Sequence, residues 1–323
     1  MTIIDNQVTN NDASRPQGGP GLPSFETSES DDCGEGVHLM GADHSTVADN
    51  LINNNSGGIL VSDETGPNHD NLITRNVVTG NAYDCGITLA SHGAASLANA
   101  TGPLSFGVYR NTISDNESSS NGLSNGGGAG IGIYAPGPGA QAYGNLIIGN
   151  TITGNGLPGV AMHNHAAPPG APAINFNDNA IIGNTIRLNA ADSADAATSG
   201  PTGINIYSLA PMTGTVVAQN LIDHESIDLA VNVASSGMGA GPQVLAHLNS
   251  FLPYGFRPYT QGVDNSGTAL ADATDNWWGC SAGPQAFSGC TKATSGVDFM
   301  PWLTTAPPSV QSQTGPRPLL RVQ

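Results

Sequence analysis

Apolar residues and asparagines are interleaved along much of the chain in one recurring pattern, apolar-x-x-Asn-x-apolar-x-x-Asn. Copies occupy residues 46–55, 72–81, 107–116, 146–155, 180–189 and 216–225, the last of which ends in Glu225 instead of asparagine. Each copy places one apolar residue in the middle of each short segment, as in Ile147 and Ile152. Runs this short, bounded by polar residues, predict brief strands with one inward side chain each.

Alignment of the copies puts the asparagines in two columns, five residues apart. The first column contains Asn6, Asn50, Asn76, Asn111, Asn150, Asn184 and Asn220. The second contains Asn11, Asn55, Asn81, Asn116, Asn155 and Asn189. We expect the chain to turn a corner at each asparagine, because this residue tolerates a left-handed backbone. Stacked amides would then hydrogen-bond from coil to coil as a ladder.

A third segment of each coil begins with glycine and continues with alternating apolar residues. Its copies begin at Gly36, Gly58, Gly86, Gly130, Gly159 and Gly203. Alternation places the second and fourth residues inward and the third outward. The chain is therefore predicted to be an all-β solenoid, a parallel β-helix with three strands per coil and asparagine ladders. We expect one domain over residues 1–303 and a proline-rich tail, disordered or a linker, over 304–323.

The composition is typical of a repeat array, and the net charge disfavours two classes of binding partner, nucleic acids and polyanionic glycans. The 323 residues include 43 glycines, only 10% are charged, and the net charge is −17. Such a chain has no basic footprint for nucleic acid, and a polyanionic glycan would need a bridging cation. No apolar stretch is long enough to span a bilayer. Met1 is not followed by a signal peptide, and Asn6 already occupies a ladder column, so we expect further upstream residues or a separate cap in the natural protein.

Four cysteines bear on the compartment. Cys280 and Cys290 flank a loop rich in glycine and proline, and we expect a disulfide between them, which implies an oxidising location. We therefore expect a secreted or cell-surface protein. The redox states of Cys33 and Cys85 stay open.

These repeats resemble the pectate-lyase-like superfamily of right-handed parallel β-helices, and in particular its bacterial members with parallel β-helix repeats. The C-terminal stretch from Asp272 to Leu303, with Asn276-Trp277-Trp278-Gly279, is similar to a terminal coil found in such proteins. The resemblance covers nearly the whole chain. It implies a right-handed solenoid and a substrate that lies across the outer face of the glycine-initiated strands.

Outward positions on that face suggest a binding surface. The expected substrate-binding residues are His38, Glu64, Tyr134, Asn205 and Tyr207. Tyr134, His163 and Tyr207 fall on consecutive rungs, about 4.8 Å apart. They would form either a platform for sugar rings or an aromatic stack that only supports the face.

Carboxylates and imidazoles near the strand ends are the candidate acid/base groups. They are Asp63, Asp84, His92, His163 and His165. The alternative is that aspartate and histidine are ordinary turn residues here.

No metal site is assigned from the sequence. His163 and His165 could share a face, but two histidines make an incomplete site. The acidic loop 12–35 could hold Ca²⁺ through oxygen ligands, or it could be a solvated loop. We therefore expect no cofactor, with Ca²⁺ at that loop as the alternative.

The resemblance implies a carbohydrate-active protein, either a lyase, a hydrolase or an epimerase acting on a polysaccharide. Two departures count against transferring a mechanism directly. The glycine-initiated strands carry no arginine or lysine, as a pectate lyase would need, and no cluster of three aspartates, as expected of a polygalacturonase. The alternative is a non-catalytic surface or glycan-binding module, and whether the chain is an enzyme stays open. We expect a monomer that contacts a polysaccharide or oligosaccharide.

Overall fold

A computed structural model describes most of the chain. The described residues are 1–11, 34–92, 105–124, 127–164, 170–194, 196–237, 240–254, 260–284 and 289–308. Four features named above lie wholly or mostly outside them: His165, Cys33, most of the loop 12–35, and most of the tail 304–323.

Within the described residues, thirty strands form four sheets, in which every paired strand is parallel to its neighbour. Sheet A contains β1 (Thr2–Ile4), β4 (Thr46–Ala48), β8 (Leu72–Thr74), β12 (Thr112–Ser114), β16 (Leu146–Ile148), β19 (Ala180–Ile182), β22 (Thr215–Ala218), β25 (Val244–His247), β28 (Ala271–Asp272) and β30 (Val297–Asp298). Sheet B contains β2 (Gln7–Thr9), β5 (Leu51–Asn53), β9 (Val77–Thr79), β13 (Glu117–Ser119), β17 (Thr151–Thr153), β20 (Thr185–Arg187), β23 (Leu221–Asp223) and β26 (Ser250–Phe251). Sheet C contains β3 (Val37–Met40), β6 (Ile59–Ser62), β10 (Ile87–Ala90), β14 (Ile131–Ala135), β18 (Val160–Asn164), β21 (Thr202–Ser208), β24 (Ile227–Val233), β27 (Gln261–Asn265) and β29 (Lys292–Ala293). Sheet D contains β7 (Asn68–His69), β11 (Val108–Tyr109) and β15 (Ala142–Tyr143).

From β1 to β27 the chain runs through sheets A, B and C in turn, so each of these coils adds one strand to each of the three sheets; β28 to β30 extend only sheets A and C. This confirms the predicted right-handed parallel β-helix with three strands per coil. Sheet D was not predicted. It lies between sheets C and A in three consecutive coils, where the connection is long enough to form a fourth, two-residue strand.

The interior is a single apolar column that runs the length of the solenoid. The central residue of the three-residue A and B strands points inward, and residues such as Ile73, Ile113 and Ile147 stack directly on one another. These side chains are fully buried. Burying an isoleucine side chain contributes roughly 1.5–3 kcal/mol, so the repeated column is the main source of stability.

Asparagine ladders occupy the corners, and Asn76 shows how one amide is bonded. Its Oδ1 accepts from both the backbone N (3.0 Å) and the Nδ2 (2.9 Å) of Asn50. Its Nδ2 donates to Asn116 Oδ1 (3.0 Å) and to the carbonyl of Val47 (2.9 Å). Two donors and two acceptor positions are the full capacity of an amide. A buried asparagine is therefore completely satisfied at this corner.

The structure corrects the alignment of one repeat. Ile113 pairs with Ile73, so the copy at 107–116 is displaced by one five-residue unit. The first ladder is Asn6, Asn50, Asn76, Asn116, Asn150, Asn184, Asn220, Asn249 and Asn276. The second is Asn11, Asn55, Asn81, Asn121, Asn155, Asn189 and Glu225. Asn111 belongs instead to a third ladder beside sheet D, with Asn71, Asn145 and Asn179.

The expectation that the asparagine itself takes the left-handed conformation was also wrong. The residue before it does: φ is 58° at Asp49, 55° at Arg75 and 67° at Gly149. That residue makes the turn, and the asparagine that follows can direct its amide into the ladder. The turning residues include Leu188 and Leu248, at 60° and 59°, so ladder bonding fixes a conformation that leucine alone disfavours.

The disulfide predicted for the C-terminal coils is confirmed. Cys280 and Cys290 form a disulfide, with 5.2 Å between their Cα atoms. Strand pairing continues to β30, and Trp278 and Phe299 pack edge to face with ring centroids 6.3 Å apart. Among the described residues there is no helix that is long and apolar enough to cross a membrane.

Replacing Asn150 with leucine should destabilise the fold strongly. The amide of Asn150 bonds to Asn116, Asn184 and the carbonyl of Ile113, all within the buried corner. Leaving such groups unpaired costs about 1–3 kcal/mol each. We expect a loss of about 3–5 kcal/mol in the free energy of unfolding, measured by denaturant titration. The adjacent Thr151→Leu, at an exposed position of sheet B, is the control and should change it by less than about 0.5 kcal/mol. Equal effects of the two changes would contradict a buried, bonded ladder.

Candidate functional site

Ionisable side chains gather on the outer face of sheet C, over its first three rungs. His38 projects from β3, Asp63 and Glu64 follow β6, and His92 follows β10. The rungs are in register, so the ends of these strands meet at one place. We call these four residues the carboxylate–imidazole cluster.

Asp63 is the anchor of the cluster. Its Oδ1 accepts from the backbone N of His92 (2.7 Å), and its Oδ2 accepts from Ser105 Oγ (2.7 Å), Gly107 N (2.7 Å) and Ser91 Oγ (3.1 Å). Burial alone would raise the pKa of this carboxyl, but the hydrogen bonds from His92, Ser105 and Gly107 outweigh it and hold the pKa below its ordinary value of 3.8. Asp63 is therefore a buried carboxylate that holds its neighbours in place.

Glu64 lies between the two histidines. Its Oε2 is 3.6 Å from His38 Nε2, and its Oε1 is 3.7 Å from His92 Nδ1. Ser62 joins this carboxylate to His38: its hydroxyl donates to Glu64, and its oxygen is 2.7 Å from His38 Nε2. Because the single hydroxyl proton goes to Glu64, the serine oxygen accepts from a protonated Nε2 of His38. In this tautomer Nδ1 of His38 is the ring nitrogen that carries no proton.

Burial differs sharply within the cluster. The side chains of Asp63, Glu64 and His92 are nearly inaccessible, whereas His38 is 23% exposed. A substrate on this face would therefore meet the imidazole of His38 first, with the carboxylates behind it. His92 Nδ1 lies 3.6 Å from Asp63 Oδ1 and is held by the same anchor.

Asp84 is not part of this cluster. It precedes β10, whereas Asp63 follows β6, so the length of a four-residue strand, about 13 Å, separates them. Its neighbours are the Cys85 thiol and the Tyr134 hydroxyl, which are 3.5 Å apart. Burial, with a contribution from the Asp84 charge, raises the pKa of both groups. Asp84 thus faces a buried thiol and phenol at the opposite ends of the strands.

The aromatic column (Tyr134, His163 and Tyr207) lies on three consecutive rungs, as the sequence indicated. The rings pack edge to face, with centroids 6.2 Å apart at Tyr134–His163 and 5.2 Å apart at His163–Tyr207. Tyr134 also lies back over Gly132. All three rings are half-buried, so each offers solvent only part of its surface. Asn205, by contrast, is buried, and its amide donates to the Ala196 carbonyl (2.9 Å).

A second group lies at the corner beside sheet D. We call His44, His69 and Asp70 the corner trio, because one ligand atom from each lies within 4.8 Å of the others. Asp70 Oδ2 accepts from His69 Nδ1 (2.7 Å) and from Arg110 Nη2 (2.7 Å). The hydrogen bond from Arg110 is the main reason that the pKa of this carboxyl is strongly lowered.

Stacked rings extend from the corner trio along sheet D. The imidazole of His69 lies on Tyr109 (centroids 4.8 Å, planes 10° apart), and Tyr109 lies on Tyr143 (5.0 Å, 12°). The guanidinium carbon of Arg110 is 4.8 Å from the Tyr109 ring centre. Neither His69 nor Asp70 is among the site residues predicted from the sequence. A two-residue strand gives too short a pattern to reveal a separate sheet.

The serines that bond to the carboxylates of the carboxylate–imidazole cluster were not predicted from the sequence either. Ser62 is the last residue of β6, and Ser105 follows a long connection after β10. The distance in sequence between Ser105 and Asp63 follows no repeat, so the sequence does not indicate that they meet. Ser91 could have been predicted, because it is next to His92 at the end of a strand.

A family model described as "Periplasmic copper-binding protein (NosD)" matches residues 2–214, more than half of the chain. The chain belongs to this family. No curated protein matches this NosD-family chain. Among solved structures it is similar to the crystal structure of pectate lyase Pel9A, with a TM-score of 0.52 and 13% identity over 93% of this chain and 68% of that one. At this identity the likeness shows the β-helix fold alone.

The family description and the disulfide bear on location. The NosD family is described as periplasmic, and Cys280–Cys290 requires an oxidising environment to form. Both are consistent with a place outside the cytoplasm.

Replacing Asp63 with asparagine should change how stability depends on pH. A carboxyl whose folded-state pKa is depressed stabilises the fold above its unfolded pKa, near 3.8, and that contribution is lost as the pH falls towards the folded value. We expect Asp63→Asn to be less stable than wild type by about 2 kcal/mol at pH 7, with the gap narrowing below pH 3.8. Thermal unfolding across pH measures this, with exposed Glu117→Gln as the control. If the difference in stability between wild type and Asp63→Asn does not change with pH, Asp63 is not an ionised carboxylate that stabilises the fold.

Proposed function

We propose that this chain is an extracytoplasmic β-helix protein that binds a polysaccharide along the outer face of sheet C and acts on it at the carboxylate–imidazole cluster. The observation that carries this proposal is the contrast in burial within the cluster. Two carboxylates and one imidazole are held in a nearly dry site, and one imidazole, His38, reaches solvent. Fixed, desolvated acid/base groups behind one accessible group are typical of catalytic sites.

The chemistry follows from the hydrogen bonds. Nδ1 of His38 would take a proton from a sugar hydroxyl or from an attacking water, while Nε2–H stays bonded to Ser62. Glu64, 3.6 Å from Nε2 and bonded to the same serine, would stabilise the imidazolium that forms. Proton transfer by a positioned group of this kind contributes about 10²–10⁴ in rate.

A long, neutral glycan is the favoured substrate. The aromatic column lies in the same outward row as Ser62, two to four rungs further along, or about 10–19 Å. A polymer parallel to the solenoid axis could contact both. The cluster contains two carboxylates, so a uronate polymer would meet like charge.

His38→Ala tests this proposal on a panel of neutral, acidic and amino-sugar polymers. Products are read as reducing ends and as absorbance from unsaturated sugars, with and without Ca²⁺. We expect turnover of a neutral polymer to fall at least about 100-fold, with an unchanged thermal midpoint. His224→Ala, a surface histidine bonded to Asp223, should keep full activity. Full activity in His38→Ala would exclude the cluster as the reacting site. Binding without turnover, weakened by Tyr207→Ala, would favour a non-catalytic glycan-binding module.

The family description and the corner trio favour copper binding as a second candidate function. Cu²⁺ accepts imidazole nitrogen and carboxylate ligands. Asp70 already bonds His69 Nδ1 and Arg110, so it fits the role of the outer carboxylate that orients a metal-bound histidine. His69 Nε2 and a ring nitrogen of His44 would then hold the ion. The residues fit a two-histidine site completed by water.

Titration calorimetry with Cu²⁺ tests the second candidate. We expect one equivalent to bind wild type, with no binding at this corner in His44→Ala/His69→Ala. Asp70→Asn should weaken binding by about 10-fold or more. His224→Ala is the matched control, since His224 also has positive φ and an aspartate partner, 2.6 Å away. Equal losses in the control and in the double variant would contradict a site at the corner trio.

A further inference from the structure

Two columns of the repeat are interrupted in the same coil of the solenoid. The second asparagine ladder ends in Glu225, whose Oε1 accepts from the backbone N (2.9 Å) and Nδ2 (3.0 Å) of Asn189. Three residues later, Asp228 takes the position that glycine holds at the start of the sheet C strand in each preceding coil. Those glycines are Gly36, Gly58, Gly86, Gly130, Gly159 and Gly203. Both acids are fully buried, so each departure places an ionisable group where the repeat has none.

The glycine column shows where the side chain of Asp228 is directed. A Cβ atom on Gly203 would meet Ile222 Cγ2 at 2.5 Å, and Ile222 belongs to the following coil. Ile222 is in register with Phe251 one coil further on, so Asp228 faces the coil of Phe251, which is itself fully buried. Neither carboxyl oxygen of Asp228 has a hydrogen-bond partner. A charge on Asp228 would therefore lie in an apolar wall with no donor to stabilise it.

Glu225 differs from the ladder amides before it in its second oxygen. An asparagine of this ladder accepts through Oδ1 and donates through Nδ2, as Asn155 does to the Ser118 carbonyl (3.3 Å). Oε2 of Glu225 stands in place of that donor and is buried without a partner. An ionised carboxylate only accepts, whereas a protonated carboxyl has one acceptor oxygen and one O–H donor, as an amide has an acceptor and a donor. The carbonyl that corresponds to that of Ser118, one coil before Glu225, belongs to Ile186.

The ionisable groups around the two acids do not neutralise them. The charge of Asp223 acts on both Glu225 and Asp228, and it is also acidic. The other ionisable groups on the corner and on the elements packed against it, from the preceding to the following coil, are Arg187, Tyr207, His224, Tyr254 and Asp264. Within the described residues, Asp228 and Oε2 of Glu225 form no hydrogen bond with any of these groups.

A buried carboxyl without donors or a base is far less costly when it is protonated than when it is ionised. We propose that Glu225 and Asp228 carry protons in the folded protein, so that folding of these coils takes up two protons and alkaline pH destabilises them. Glu225 then serves in the ladder as an amide does, and Asp228 lies as a neutral group in the wall of the solenoid. An unfolded chain holds neither proton at neutral pH. This pair is inside the solenoid and does not depend on the function proposed for the outer face of sheet C.

The pH dependence that follows from two buried, protonated acids has a definite sign. Burial raises the pKa of Glu225 from 4.5 to about 8 and raises the pKa of Asp228 well above 3.8. An acid whose folded-state pKa is raised stabilises the fold fully below its unfolded pKa, and this contribution is lost as the pH rises towards the folded value. For Glu225 the loss should extend from pH 4.5 to about pH 8, which is the opposite of the trend expected for Asp63.

Glu225→Gln/Asp228→Asn tests the proposal, because each acid is replaced by the neutral amide of the same shape. Each proton taken up on folding raises the unfolding equilibrium constant about tenfold per pH unit. Between about pH 5 and pH 7.5, that constant should therefore rise more steeply in wild type than in the double variant, by up to about 100-fold per pH unit in denaturant titrations. Each single variant should remove about one tenfold step. Glu117→Gln, a change at an exposed acid, should keep the wild-type slope.

A second variant and a direct measurement decide the matter if the amide variant does not fold. Glu225→Asn/Asp228→Gly restores both the ladder asparagine and the column glycine, and it should show the same shallow slope. Infrared spectra of wild type at pH 7 should contain the carbonyl band of a protonated carboxyl, which both double variants should lack. Equal slopes in wild type and in the repeat-restoring variant would overturn the proposal. A wild-type spectrum without that band would also overturn it, because the two acids would then be ionised in the folded protein.

Discussion

The four-bond asparagine amide is the constraint on which the rest of this solenoid depends. Each amide inside a ladder is bonded to the side chain one rung above and to the one below, which fixes the register in which the coils stack. The chain distance between successive members of the first ladder is nevertheless 44, 26, 40, 34, 34, 36, 29 and 27 residues. The ladder therefore fixes the corner between sheets A and B and leaves the rest of each coil free to vary in length.

That freedom is confined to the margins of sheet C. Sheets A and B are joined by two residues in coil after coil, as at Arg75–Asn76 and Gly149–Asn150. The long connections come before or after the strands of sheet C, as between β10 and β11 or β18 and β19. Because the strands stay fixed, residues in the variable segments beside them can change, and with them a binding or catalytic site, without loss of fold stability. The carboxylate–imidazole cluster and the corner trio both lie on these margins.

Periodicity predicted sheets A, B and C, because their inward residues and corner asparagines recur at fixed spacing. It could not assign Asn111, since Asn111, Asn116 and Asn121 are evenly spaced and either of two registers fits the local pattern. Only the pairing of Ile113 with Ile73 and Ile147 decides between them. In the site, Asp63 and His92 could be expected on neighbouring rungs. Ser105 could not, because a long connection brings it back to Asp63.

Departures from the repeat are more informative here than the repeat itself. A buried charge is stable only if something compensates it, and this chain shows how in two places. Asp63 is compensated by backbone and hydroxyl donors, and partly exposed Asp70 by Arg110. Glu225 and Asp228 have neither kind of partner for three of their four oxygens. Burial raises the pKa of both carboxyls, so a proton on each group removes the charge where hydrogen-bond donors and bases do not.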